Sequence, residues 1–190
     1  MSLKIGNAEI SKVMHGGSDV SVVYKGTDEV WRLSSAGGYV DDVFSTYVYA
    51  GTGAAQDIEN GVDLAGEGGL VWAKSRTLSR NHHLVDTERG PSTGTAPGKT
   101  IYSNASDAES VNNDTTAFYE NGYQVGSSDP VNKVGETFVS WTFRKAPKFF
   151  DVVTYTGDGT TGRAISHNLD CEVGTIFVKD LNSTSNWYVY

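Results

Sequence analysis

With 190 residues, 38% of them hydrophobic, the chain is long enough for one large or two small domains with a packed core. Its 22 glycines, ten tyrosines and two methionines favour a turn-rich β protein over a helical one. A formal charge of −8 argues against a nucleic-acid backbone or an anionic membrane as the main partner, since both attract basic surfaces, and the single cysteine, Cys171, excludes an intrachain disulfide.

The N-terminus lacks the apolar stretch of a secretory signal, and no run approaches the ~18 apolar residues of a membrane span. The chain is therefore expected to stay where it is made, in the cytoplasm, or to leave inside a particle assembled there, without membrane insertion. Residues 5–31 repeat with a period of ten: Gly6-Asn7-Ala8-Glu9-Ile10, Gly16-Gly17-Ser18-Asp19-Val20 and Gly26-Thr27-Asp28-Glu29-Val30. Each unit couples a Gly/polar turn to a short apolar strand, among them Val13-Met14-His15, Val22-Val23-Tyr24 and Val30-Trp31, the spacing of a β-meander. So small a sheet usually needs a partner surface. This predicts an attachment or oligomerisation element over residues 1–33, with Ile10, Val20, Tyr24, Val30 and Trp31 in its interface. An edge sheet on the following module is the alternative.

After the flexible break Ser34-Ser35-Ala36-Gly37-Gly38, a β-sandwich module is expected over residues 34–148. Asp41 to Tyr49 reads as a strand, Ile58 to Gly69 as a loop rich in Gly and acids, Leu70-Val71-Trp72-Ala73 as a buried strand and Leu84-Val85 as its neighbour. From Arg89 to Asp114 the chain turns to Gly, Ser, Thr, Asn and Pro, broken only by Ile101-Tyr102, and is expected to be a long surface excursion where binding would sit. Phe118 to Val125 is a hairpin with Asn121-Gly122 as its turn. Phe138 to Phe143 alternates, with Val139, Trp141 and Phe143 on one face and Ser140 and Thr142 on the other, which places Trp141, like Trp72, in the core. Pro147, in the basic joint Arg144 to Lys148, ends the ladder. No segment has the pattern of an amphipathic helix.

Residues 149–190 begin a second copy. Tyr49-Ala50-Gly51-Thr52-Gly53 matches Tyr155-Thr156-Gly157-Asp158-Gly159, and Gly69-Leu70-Val71-Trp72-Ala73-Lys74 matches Gly174-Thr175-Ile176-Phe177-Val178-Lys179. His82-His83-Leu84-Val85 then meets Trp187-Tyr188-Val189-Tyr190, at an offset of about 105 residues with one gap. The copy stops short, which is expected of a longer chain or of a half-module completed by something else. The fold class expected is all-β: a small N-terminal meander, a sandwich of jelly-roll or lectin type, and a partial second copy.

These words in this order resemble a family of tailed-bacteriophage virion proteins found among tail fibres and receptor-end proteins. The resemblance runs through Gly69 to Lys74, Asp86-Thr87-Glu88-Arg89-Gly90, Asn121 to Gly126 and Thr137 to Asp151, then Val152 to Gly159 and Ile165-Ser166-His167-Asn168-Leu169. The ten-residue N-terminal units resemble short repeats that begin many phage tail proteins. What the resemblance implies is a lectin-like β-sandwich, a place in the virion tail with other tail or baseplate proteins as partners, a homotrimer, and a part in host attachment that could include a surface glycan. It implies no catalytic residue and no cofactor.

The residues themselves offer little chemistry. On a strand, His82 and His83 would point to opposite faces, which disfavours a shared metal. Asp86 and Arg89, three apart, suit a bidentate structural ion pair, and His167 resembles a framework histidine of the family. Asp41-Asp42, Asn112-Asn113-Asp114 and Asp158 could offer oxygen ligands to calcium, but they lack the spacing of a calcium loop and read as solvated turns. No nucleophile elbow or phosphate loop is present, so catalytic, cofactor and metal sites are all expected to be absent. A glycan hydrolase built on paired carboxylates and a free-standing carbohydrate-binding module, using the loop from Arg89 to Asp114, are the alternatives to a virion role, and a tail adaptor or capsid decoration protein is the alternative to a tail fibre.

Overall fold

The computed structural model describes residues 40–90 and 98–190 in full, and the backbone of six short strands between Lys4 and Arg32. The chain separates into two compact units, Met1–Tyr39 and Val40–Tyr190.

In the first unit β1 (Lys4–Ile5) pairs with β2 (Ala8–Glu9), β3 (Val13–His15) with β4 (Ser18–Val20), and β5 (Val22–Lys25) with β6 (Asp28–Arg32), all antiparallel. The innermost pairs are Ile5 with Ala8, His15 with Ser18 and Lys25 with Asp28, at ten-residue intervals. The sequence period is thus the period of a hairpin, with two residues between the paired ends, where Gly and Asn are favoured. Each unit holds two strands where the sequence suggested one.

The second unit opens with a single turn, α1 (Val40–Val43), and continues through β7 (Phe44–Ala50), β8 (Gln56–Glu59), β9 (Gly69–Ser75), β10 (His83–Asp86), β11 (Gly98–Tyr102) and β12 (Ser110–Asn112). Then follow β13 (Thr115–Tyr119), β14 (Gly122–Val125), the short α2 (Asp129–Asn132), β15 (Thr137–Arg144), β16 (Phe177–Val178) and β17 (Tyr188–Val189). One sheet has the order β12-β11-β10-β9-β15-β7 and a second has β13-β14-β8. Their facing sides make an all-β sandwich whose core includes Tyr49, Ile58, Val71, Tyr123, Val125 and Phe138.

Four expectations change here. Ile58 to Gly69 is a loop only between its ends, since Ile58 and Glu59 belong to β8 and Gly69 opens β9, and within the loop Val62 and Leu64 are buried in the core. The stretch from Arg89 to Asp114 is not one excursion either, because β11 and β12 extend the large sheet through it, with Thr100 and Ile101 buried. In the β13–β14 hairpin Tyr119 pairs with Gly122, so the turn is Glu120-Asn121. Gly122 instead opens β14 at φ 140°, and a Cβ there would lie 1.9 Å from the Ile58 carbonyl oxygen, so only glycine lets β8 pair this closely.

The fourth concerns which face of β15 is inside. Phe138, Ser140 and Thr142 are completely buried, while Val139, Trp141 and Phe143 are half-buried on the other side. The small hydroxyl residues leave room on the inner face for large neighbours from the second sheet, such as Tyr123. Thr142 Oγ1 accepts a hydrogen bond from Asn60 Nδ2 at 2.8 Å, which offsets the cost of burying a hydroxyl. Trp72 and Trp141 pair edge to face across the outer side, centroids 5.7 Å apart.

Candidate functional site

Of the residues expected in an N-terminal interface, Ile10 lies outside the described residues. Val20 pairs with Val13, Tyr24 with Glu29 and Trp31 with Val23, and Val30 falls at the register shift between the last two pairs, where β6 carries one extra residue. Backbone pairing therefore brings Tyr24, Val30 and Trp31 into one hairpin and leaves Val20 in the preceding one.

In the second unit the two histidines part company, with His82 just ahead of β10 and His83 opening it. His83, on β10, is buried, and its Nδ1 lies 2.6 Å from Asp114 Oδ2. Thr100 Oγ1 donates to the same oxygen at 2.9 Å. Asp114 is 1% exposed, so this corrects the reading of Asn112-Asn113-Asp114 as a solvated turn. His82 points elsewhere and accepts at Nδ1 a hydrogen bond from Trp72 Nε1 at 3.0 Å. Burial, with Lys74 and His83 nearby, pushes its imidazole below the usual histidine range. Among the described residues no group of three or more His, Cys, Asp or Glu side chains converges to hold a metal.

Asp86 and Arg89 form the expected ion pair in an unexpected way. Arg89 Nε and Nη2 both reach Asp86 Oδ2, at 2.7 and 2.5 Å, while Oδ1 accepts the Glu88 and Arg89 backbone N–H groups. The same guanidinium reaches Glu109 Oε2 at 3.1 Å and the Leu84 carbonyl at 3.3 Å. Buried and saturated, it ties β10 to the stretch after β11 and serves as framework. His167 is exposed and accepts the Leu169 N–H at 3.3 Å, a local turn contact.

Further features that point outward lie where the first copy meets the second. At the joint, Ala146 and Phe150 exchange backbone hydrogen bonds at 2.9 and 3.2 Å around Pro147. A shallow cleft of about 260 Å³ opens beside it, lined by Lys145, Phe150, Asp151 and Asn168 among others. Lys145 Nζ lies 2.5 Å from Glu88 Oε1 and 3.5 Å from Asp151 Oδ1, and the hydrogen bond to Glu88 raises its pKa. With Lys145, the one cation lining it among the described residues, engaged by two carboxylates, the cleft is a closed ion-pair network more than an open receptor.

Beyond the joint, the second copy reproduces the strand register of the first in its hairpin. Ala73 pairs with His83 and Trp72 with Leu84, while Val178 pairs with Tyr188 and Phe177 with Val189, the same register 105 residues on. The pair Val71–Val85 likewise has its counterpart in Ile176 and Tyr190, which exchange N–H···O bonds at 3.0 Å each way. Lys74 Nζ caps its turn on the Ser75 and Leu78 carbonyls at 2.6 and 3.2 Å. Lys179 Nζ does so on Asp180 and Ser183, at 2.5 and 3.4 Å.

Surroundings differ where the internal geometry does not. Val71, Leu84 and Val85 are 1%, 8% and 1% exposed, whereas their counterparts Ile176, Val189 and Tyr190 are 45%, 58% and 74% exposed. The second hairpin rests on the first module through Trp187 Nε1, which donates to the Tyr102 carbonyl at 2.8 Å, and through the Glu109–Leu181 and Ser185–Ser106 backbone bonds at 2.9 Å. Its apolar side chains otherwise face solvent, an arrangement suited to association. Sequence alignment located this repeat but carried no signal for its exposure.

Among the described residues no helix is long and apolar enough to cross a membrane. A family model described as "Domain of unknown function (DUF7483)" matches residues 40–190. No curated protein and no solved structure matches the chain.

Proposed function

The chain belongs to the DUF7483 family, and we propose that it is a structural protein of a tailed-bacteriophage virion, the N-terminal part of a tail fibre that takes part in host attachment. The observation that carries this reading is the recurrence, within one compact unit, of the β9–β10 hairpin's register and turn cap and of a left-handed glycine, Gly53 and then Gly159, the kind of repetition from which extended structures are built. Ten-residue hairpins precede it, in the place where the sequence resemblance puts tail attachment. The net charge of −8 suits a surface-exposed protein with no nucleic-acid partner.

In this reading Ile10, Val20, Tyr24, Val30 and Trp31 belong to the element that docks on other tail or baseplate proteins. The β-modules point toward the host surface, where a glycan is the receptor class to screen, and the fibre is a homotrimer assembled in the bacterial cytoplasm. No cofactor or catalytic residue takes part. Mass spectrometry of purified particles tests it: the chain should be found in the tail fraction, and deletion of residues 1–33 should remove it from particles without unfolding residues 40–190. Normal incorporation of the deletion variant would refute the docking assignment, and absence from particles would refute the virion role.

A further inference from the structure

At the joint between the copies the backbone brings a lysine against a carboxyl group that is shut away from water. Ala146 and Phe150 are bridged antiparallel, so Lys145 and Asp151, the residues just outside the bridge, stand opposite one another. Lys145 Nζ lies 3.5 Å from Asp151 Oδ1, close to the separation of a near-attack pair. The Asp151 side chain is only 5% exposed. Its Oδ1 accepts the Val152 N–H at 2.9 Å and its Oδ2 the Asn168 N–H at 2.7 Å, which holds the carboxyl group in one orientation.

A second carboxylate completes the set. Glu88 Oε1 lies 2.5 Å from the same Nζ and comes from the turn after β10, 57 residues away. Among the described residues Lys145 is the one lysine that meets two carboxylates, whereas Lys99 and Lys133 each meet one and are about half exposed. Backbone donors on both oxygens of a buried carboxyl group are also what stabilises the charge that develops on it under nucleophilic attack.

We propose that Lys145 and Asp151 condense into an intramolecular isopeptide bond, with Glu88 carrying protons between them. Nζ attacks Asp151 Cγ, and the bond from Cγ to Oδ1 breaks. Glu88 takes the proton that frees the Nζ lone pair and delivers it to the departing Oδ1, which leaves as water with the second proton lost from Nζ. An ammonium and a carboxylate thus become an amide and one water, with no co-reactant and no change in oxidation state. Oδ2 stays as the amide oxygen, and the Asn168 N–H is placed to stabilise negative charge on it during the attack. Well-oriented intramolecular partners reach effective molarities of about 10⁵ M or more, which favours condensation here over the same groups free in solution. Because the hydrogen bond to Glu88 favours the ammonium, the reaction is slow and follows folding. The bond ties the end of β15 covalently to the start of the second copy, and it holds whether or not the chain belongs to a virion.

Intact-mass measurement of the full 190-residue chain, denatured after prolonged incubation in its folded state at neutral pH, tests this. The expected mass is short of the sequence value by one water. Trypsin should then release a branched product in which residues 145–148 stay joined to the peptide that follows Lys148. Lys145→Arg should restore the full mass, and Glu88→Gln should slow the loss about a hundredfold, each variant being checked for a cooperative melt. The full sequence mass in the folded parent overturns the proposal, whatever the variants do. So does a water loss that persists in Lys145→Arg, since the product is then a succinimide at an aspartate such as Asp158. Loss at the parent rate in folded Glu88→Gln overturns the part given to Glu88.

Discussion

Asn132 and Gln56, 76 residues apart in sequence, meet through a hydrogen bond of 2.7 Å from Gln56 Nε2 to Asn132 Oδ1. The Thr52 N–H donates to the same oxygen at 2.9 Å, and Asn132 Nδ2 donates to the Ala54 and Gly126 carbonyls at 2.6 and 2.7 Å. One buried amide thereby fixes the turn after β7, the start of β8 and the end of β14. Replacing it by Ala strands several polar groups away from water, at about 1–3 kcal/mol for each left unsatisfied. Asn132→Ala is expected to lower stability by roughly 3 kcal/mol in urea unfolding with an unchanged m-value. A loss below about 1 kcal/mol would mean that water replaces the amide.

The two faces of β15 predict unequal costs. Phe138 is completely buried and stacks on Tyr49, centroids 5.3 Å apart. Trp141, the larger side chain, is only half-buried and has Trp72 as its ring partner. Phe138→Ala should cost about 3–5 kcal/mol. Trp141→Ala should cost less, near 2 kcal/mol, from partial burial and an aromatic pair worth about 0.5–1.5 kcal/mol. Equal losses in parallel denaturation curves would reverse the assignment of inside and outside.

That contrast shows what the sequence carried and what it hid. Alignment of Lys74 with Lys179 and of Val85 with Tyr190 located both hairpins, because turn chemistry and strand period are local. The inner face of β15 was hidden because Ser140 and Thr142 look like solvent residues until Tyr123 and Asn60 are known to lie over them. Thr100 and Asp114 were missed for the same reason: a polar residue can be buried once its hydrogen bonds close, and His83 is 31 residues away from Asp114. Asn132 gave no signal at all. Its partners are distant in sequence, and only the assembled sandwich brings them together.

Glu136 ties β15 to the turn after β9. Arg80 Nε and Nη2 donate to its two oxygens at 3.0 and 2.6 Å, and Ser75 Oγ donates at 3.1 Å. The Arg80 hydrogen bonds hold the carboxyl below the usual glutamate range. A carboxylate whose folded pKa is depressed contributes stability that is full above its unfolded value, about 4.3, and is lost as pH falls through the folded value. The parent chain should therefore exceed Glu136→Gln in melting temperature at pH 6, and the gap should shrink as pH falls below about 4.3, the unfolded value. A gap independent of pH would show that packing of Glu136, not its charge, is what matters.

His82 gives a second, separable pH effect. Its Nδ1 accepts the Trp72 indole N–H, so protonation at that atom breaks the bond. Burial is the first cause of its lowered pKa, followed by the charge of Lys74 and the proximity of His83. The unfolded chain takes up this proton near pH 6.5 and the folded chain only at lower pH, so the contribution is complete above about 6.5 and fades as pH falls toward the folded value. Proton NMR should show the His82 ring titrating with a midpoint below about 6.5. The Trp72 indole N–H should shift with the same midpoint, and Lys74→Met should raise it. A His82 midpoint at or above the ordinary histidine value would break the link between the indole hydrogen bond and the neutral ring.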